Sequence, residues 1–305
     1  MKHKIIIILS LLIMGNIPLL AYENYYGVAI LSHQGQETAY AADNVQAAVD
    51  AAVEGDIITF SPGQFKEFTL NKLVYLKNYD WASINVNLDF PDNTVISNSF
   101  FSGGWFYVNV KSNVQSIYFS ECSVNLSSDN GISIGKVIFD RCAANIYYNQ
   151  FNANTIELNN CDVHGIYNGE NTTIVSKFIN SRIYSAGVVG ASFENCIFVS
   201  GYEEAKTIDG CTLTNCLYNP DEYIIGEGST VTDCYTMSTE EWDESSDNLL
   251  SKGFVGTDGT IVGFNGGTTP FNGTSPKEGT SVWSNGNLKY QDGKLTGTYY
   301  INPTR

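Results

Sequence analysis

The residues best placed for chemistry are Asp162 and His164, in the stretch DVHG, and Arg182 and Tyr184, twenty residues further on. A carboxylate, an imidazole and a guanidinium in one place could do acid–base work or hold a polar ligand. Asn145 and Tyr147 lie about one such interval upstream and would add an amide and a ring. Sugars present apolar faces beside hydroxyls, so an aromatic and polar patch of this kind suits a glycan. The bland alternative is an exposed Asp–Arg pair contributing about 0–1 kcal/mol beside a solvated histidine. Which account holds depends on whether the interval near twenty is structural.

The interval recurs along the chain. YFSEC ends at Cys122, IFDRC at Cys142, IELNNC at Cys161, ASFENC at Cys196, TLTNC at Cys216 and TVTDC at Cys234. Ser181 in SKFINS and Ser99 in VISNS fill the same place, which makes eight copies at a period near 19. A sustained period of this length marks a solenoid, whose repeats bury their apolar faces only by stacking. Each copy reads apolar, x, apolar, x, x, Cys or Ser, x, apolar, as in Ile117, Phe119, Cys122 and Val124. Strict alternation predicts strands, and the two-residue gap predicts a tight turn between two strands that face one interior. The residue before each Cys or Ser is Asn98, Glu121, Arg141, Asn160, Asn180, Asn195, Asn215 or Asp233. Asparagine tolerates left-handed backbone, so these positions predict a ladder of turns along one edge.

The ends differ from the repeat. Asp43 is placed to cap a helix over about 43–54, NVQAAVDAAVE, with Val45, Ala48, Val49 and Ala52 on one face and Gly55 beyond it. This helix would cover the raw strand edges at the start of the coil. After Met237 the repeat stops. STEEWDESSDNLLSKGF predicts a short acidic helix capped at Ser238 or Thr239, and GTDGTIVGFNGGTTPFNGTSP a turn-rich tail packed along or over the last rungs. These glycines precede no Lys-Ser/Thr and sit in no strand–helix fingerprint, which argues against a phosphate loop.

The repeat, the asparagine turns and the capping helix together resemble the right-handed parallel β-helix of the pectin-lyase-like superfamily over roughly residues 40–237. The opening segment and the tail GTDGT…GFNGG…PF resemble exported β-helix proteins of Bacteroidetes-type bacteria. The expected fold is therefore all-β, a right-handed parallel β-helix with an N-terminal capping helix and a Gly-rich C-terminal extension. Enzymes of the superfamily carry either a calcium-binding acidic cluster with a basic residue, or closely spaced aspartates. The repeats hold neither, and DVHG at 162–165 comes nearest.

The sequence begins with Lys2 and Lys4, an apolar run at Ile5–Met14 and a cleavage-like Pro18–Ala21, which predicts a signal peptide over residues 1–21. Removing it would take the formal charge from −16 to −18. The expected location is outside the cytoplasm, in periplasm, cell surface or medium, with no membrane insertion. So acidic a surface repels nucleic acid, anionic membranes and polyuronates. Domain organisation follows as signal peptide 1–21, coil 22–237, and acidic and Gly-rich extension 238–305.

Seven cysteines in an exported chain raise the question of disulfides. Two accounts stand: a reduced stack of small apolar bodies inside the coil, or bridges between adjacent rungs, with Cys211 and Cys216 the suspect pair. Thiols spread along a line do not converge on a metal. No cofactor is expected, and calcium at the acidic run EEWDESSD is the sole ion to consider. Glu157 and Lys177, one rung apart, suggest a surface ion pair. Three functions follow. The first is non-catalytic display of a glycan-binding surface. The others are polysaccharide lyase or glycoside hydrolase action at an unrecognised site, and scaffolding for a protein partner.

Overall fold

The structure is a computed structural model describing residues 25–78, 82–96, 101–147, 151–167, 175–187, 189–199, 206–271, 280–284, 289–291, 294–296 and 299–303. The expected signal peptide, Asn98 and Ser99 lie outside these residues. The described chain winds as a parallel β-solenoid. Strands that precede each turn form one long sheet and strands that follow it form a second. Phe119, Phe139, Leu158, Phe178, Phe193, Leu213 and Val231 pair in register from rung to rung, as one inward row of the first sheet. Rings in that row stack face to face, Phe119 on Phe139 at 5.2 Å and Phe178 on Phe193 at 4.7 Å.

The corner between the sheets is a single left-handed residue. Glu121, Arg141, Asn160, Asn180, Asn195, Asn215 and Asp233 all have φ between 46° and 55°. Each of the first six donates its N–H across to the next rung, as Asn160 does to the Ile179 carbonyl at 3.0 Å. The residue after each corner points inward. Cys122, Cys142, Cys161, Ser181, Cys196 and Cys216 are fully buried there. All seven cysteines are free thiols, and Cys122 Sγ lies 3.8 Å from Cys142 Sγ. Cys211 belongs to a different corner, following the left-handed Gly210 and joined to Ser229 of the next rung. It therefore does not face Cys216, although the two are close in sequence.

One turn was misplaced by the sequence pattern. Gly103 N–H donates to the Glu121 carbonyl at 3.0 Å, as Glu121 does to Asp140, and Trp105 pairs with Ser123. The corner of that rung is thus Gly103–Gly104, not Asn98–Ser99. A side chain at Gly104 would collide with Asn78, which leaves no room for the cysteine of other rungs.

The start of the coil is covered by an antiparallel hairpin, Val28–His33 with Gln36–Ala41, and by the helix Val45–Ala51. Val45, Ala48 and Val49 share the buried face of that helix, the i, i+3, i+4 stripe expected of a surface helix. Asp43 lies in a preceding 3-10 turn, Ala42–Asn44, and the helix begins without a side-chain cap. Gln46 docks it on the coil instead, accepting from the Thr69 N–H at 2.8 Å.

Beyond Met237 the chain leaves the coil and returns along its outside. A 3-10 turn at Thr239–Glu241 and a helix at Ser246–Ser251, capped by the Ser245 hydroxyl, lead into a strap. The strap then runs back over the asparagine corners. Asn215 Nδ2 donates to the Val255 carbonyl at 3.4 Å, Asn180 Nδ2 to Asp258 at 3.2 Å and Asn160 Nδ2 to the Gly266 carbonyl at 2.6 Å. Asn195 accepts from the Thr257 N–H at 2.8 Å. The glycines of the strap serve this close approach: a Cβ on Gly256 would sit 2.6 Å from the Asn195 side chain.

Asn195→Ala should therefore destabilise the protein by about 2–3 kcal/mol, from a left-handed alanine and the lost bonds to Thr257. Ser123→Ala removes a buried hydroxyl with no partner and should melt at or above the parent temperature. Thermal melts of both variants check this, and an unchanged melting temperature for Asn195→Ala would remove the corner from its structural role.

Candidate functional site

Strands after the corner turn alternate inward and outward, so their outward side chains form rows along the coil. One row carries Trp105, Ser123, Ala143, Asp162, Arg182 and Ile197. The next carries Asn85, Tyr107, Asn125, Asn145, His164 and Tyr184. Five of the six expected site residues thus share one sheet face, with Asp162–Arg182 and His164–Tyr184 each in register. Tyr147 pairs in register with Tyr167, and its side chain lies outside the described residues.

The Asp162–Arg182 pair is not the exposed ion pair that outward-facing positions suggest. Arg182 donates from Nε and Nη2 to the two Asp162 oxygens at 2.9 and 2.7 Å, and from Nη1 to Glu244 at 2.9 Å. Its guanidinium lies 4.2 Å from the Phe264 ring centre and 4.9 Å from that of Tyr184. Side-chain exposure is 18% for Arg182 and 11% for Asp162. Glu244 and Phe264 both come from the returning segment, which covers the pair. Burial alone would push the Asp162 carboxyl up, but hydrogen bonds from His164 and Arg182 and the charge of Arg182 outweigh it and hold the carboxyl below its ordinary value. Arg182 is an anchor between coil and strap.

His164 and Tyr184 remain at the margin. Their rings stack at 4.5 Å with 8° between planes, and the His164 side chain is half exposed. His164 Nε2 lies 3.4 Å from Asp162 Oδ2. Further along, the outward rows turn apolar. Ile197, Val199 and Leu217 pack with Met237, Leu249 and Val262 in a second small core outside the coil. The strap therefore closes the C-terminal part of the sheet face.

The N-terminal part is open and contains a groove of about 300 Å³. Asn85, Tyr107 and Asn125 line it from one row, and Asn87, Asn109 and Ser127 from the next. Glu67 closes one side, accepting from Asn87 Nδ2 at 2.7 Å. Asn109 Nδ2 donates to Asp129 at 3.0 Å, and Ser127 donates to Asn109 Oδ1 at 3.2 Å. Tyr107, which lines it, is 42% exposed, and Trp105, two residues before it on the same strand, is 46% exposed. Glu67, Asn85, Asn87, Asn109 and Ser127 were not marked out by the repeat pattern alone. The signal was present in SINVN, WFYVN and SVNLS, where a polar or aromatic residue stands at every second position. The misplaced corner at Gly103–Gly104 hid their register.

On the first sheet, Glu157 and Lys177 stand opposite each other, but Glu157 pairs with Lys136, Nζ to Oε1 at 2.9 Å. Among the described residues no group of His, Cys, Asp or Glu is arranged to hold a metal ion.

Replacing Arg182 with methionine leaves Asp162 buried and uncompensated, and should cost about 3–5 kcal/mol. The Asp162 contribution should be complete above about pH 4 and be lost as pH falls through the depressed folded-state value. The difference in melting temperature between the parent and Asp162→Asn should accordingly be large at neutral pH and shrink in acid. A gap independent of pH would show that the carboxylate charge does not anchor the strap.

Compared with known protein families, with curated proteins and with solved structures, the chain matches none.

Proposed function

We propose that this protein is an exported, non-catalytic β-solenoid that binds glycan on the open part of its second sheet. The observation that carries this is the groove: amides of Asn85, Asn87, Asn109 and Asn125 around the exposed Tyr107, with Trp105 two residues before it on the same strand. Amides both donate and accept, which matches sugar hydroxyls, and flat rings match the apolar faces of sugars. A flat sheet face offers these groups at a rung spacing of about 4.8 Å. His164 and Tyr184, with Asn145, continue the same row toward the strap and would extend the contact. Asp162 and Arg182 hold the strap and support the row from beside it.

Binding is favoured over hydrolysis because glycoside cleavage needs two carboxylates a set distance apart. The residues lining the groove include one, Glu67. The formal charge of −16 favours neutral over anionic glycans. Export rests on the charged and apolar opening of the sequence. A kinship with pectin-lyase-like β-helices is part of this proposal and rests on the stacked asparagine corners.

The test is a polysaccharide and glycan array probed with the purified protein, with and without calcium. Selective binding to neutral glycans is expected, with about tenfold weaker binding for Tyr107→Ala and for Asn109→Ala. Silence across the array, or binding that both variants retain in full, would sink the proposal.

A further inference from the structure

Asparagine followed by glycine carries a reaction of its own. The glycine nitrogen can attack the asparagine carboxamide, and glycine, with no side chain, obstructs that approach least. Asn130–Gly131 and Asn265–Gly266 lie among the described residues, whereas Asn168, Asn272 and Asn285 precede glycines outside them. Both described pairs begin with an exposed asparagine. The fold treats them in opposite ways.

Asn130 and Gly131 form the tip of the turn between the strands Ser123–Ser128 and Ile134–Asp140. Ladder bonds hold the chain on either side of them. Asp129 N–H donates to the Val110 carbonyl at 3.0 Å, and Ile134 N–H to the Asn152 carbonyl at 2.8 Å. Ile132 N–H closes the turn on the Asp129 carbonyl at 3.1 Å. Among the described residues neither the Gly131 N–H nor the Asn130 carboxamide has a hydrogen-bond partner. Gly131 is exposed, and a Cβ built on it would meet nothing within 4 Å. The carboxamide is therefore free to swing over the glycine nitrogen without breaking a rung.

Asn265–Gly266 sits in the strap. Gly266 is buried, and its N–H donates to the Gly263 carbonyl at 2.9 Å. Its carbonyl accepts from Asn160 Nδ2 at 2.6 Å, and the next N–H, that of Gly267, donates to the Thr260 hydroxyl at 2.6 Å. The nucleophile is thus occupied. Turning it toward the Asn265 side chain would pull the strap off the corner at Asn160.

We infer that Asn130 is a site of spontaneous covalent modification, deamidation through a succinimide. Hydroxide takes the proton from the Gly131 N–H, and the nitrogen forms a bond to Asn130 Cγ. The carboxamide C–N bond breaks, and the amide leaves as ammonia, taking up a proton from water. Water then opens the ring at either carbonyl, leaving aspartate or isoaspartate. Each event adds one negative charge next to Asp129, the carboxylate that accepts from Asn109 Nδ2 of the groove. The isoaspartate form lengthens the main chain at a tip that carries no ladder bond, so the coil accommodates it.

The test is to incubate the folded, purified protein at neutral and mildly alkaline pH and map its peptides by mass spectrometry with isoaspartate detection. Conversion at Asn130 should run about tenfold ahead of conversion at Asn265, because freeing Gly266 breaks hydrogen bonds that Gly131 does not make. Both rates should rise with pH. In the chain unfolded by urea the two sites should convert at similar rates. Equal rates in the folded protein, a faster Asn265, or an Asn130 that stays intact would each overturn the inference. So would the same ratio persisting in urea, which would place the difference in the flanking sequence and not in the fold.

Discussion

Everything in this protein hangs on one backbone constraint, the left-handed residue at each corner. An L-residue there costs about 1–2 kcal/mol, and the coil repeats the conformation at seven described non-glycine positions from Glu121 to Asp233. The conformation turns the chain within two residues, so strands on both sides face one interior. Stacking makes the strain tolerable. Each of the first six corners joins its N–H to the next rung and places a small body, cysteine or serine, in the fully buried column behind it. Burial of the thiols pushes Cys122 and Cys161 well above the ordinary range. They act as core atoms and not as nucleophiles.

The same corners create a demand that the strap meets. Asparagine suits the left-handed turn, but its amide then stands on the outside of the coil wanting partners. Carbonyls of Val255 and Gly266, the Asp258 carboxylate and the Thr257 N–H supply them at Asn215, Asn160, Asn180 and Asn195. Glycines are needed for the approach, because the strap runs against those amides with no room for a Cβ at Gly256 or Gly267. A Gly-rich tail thereby becomes part of the folded body. Arg182 completes the attachment through two carboxylates and two rings, one partner of each kind from the coil and one from the returning segment.

This arrangement divides one sheet face into two regions. Toward the C-terminal end the outward rows are apolar at Ile197, Val199 and Leu217, and the returning chain buries them. Toward the N-terminal end they are amides and rings around an open groove. Asp162 and Arg182 mark the border and are committed to holding it. The surface free to bind lies beside them, from His164 back to Asn85.

Local chemistry decided the coil, and it was legible in the sequence for that reason. Alternation, a period near 19 and a left-handed-tolerant residue before each cysteine are properties of single rungs, each satisfied by its own residues. Even the change from Ser123, Asn125 and Asp162 to Ile197, Val199 and Leu217 at outward positions was written there. What the sequence alone could not say was which segment would cover those positions. The corner at Gly103–Gly104 escaped for a related reason: its lack of a side chain answers to Asn78 on the preceding rung, a neighbour known only after folding. The burial of Asp162 and Arg182 likewise depends on Glu244 and Phe264, more than sixty residues away. Periodicity reports what repeats along the chain, and contacts made once, between distant segments, leave no period to read.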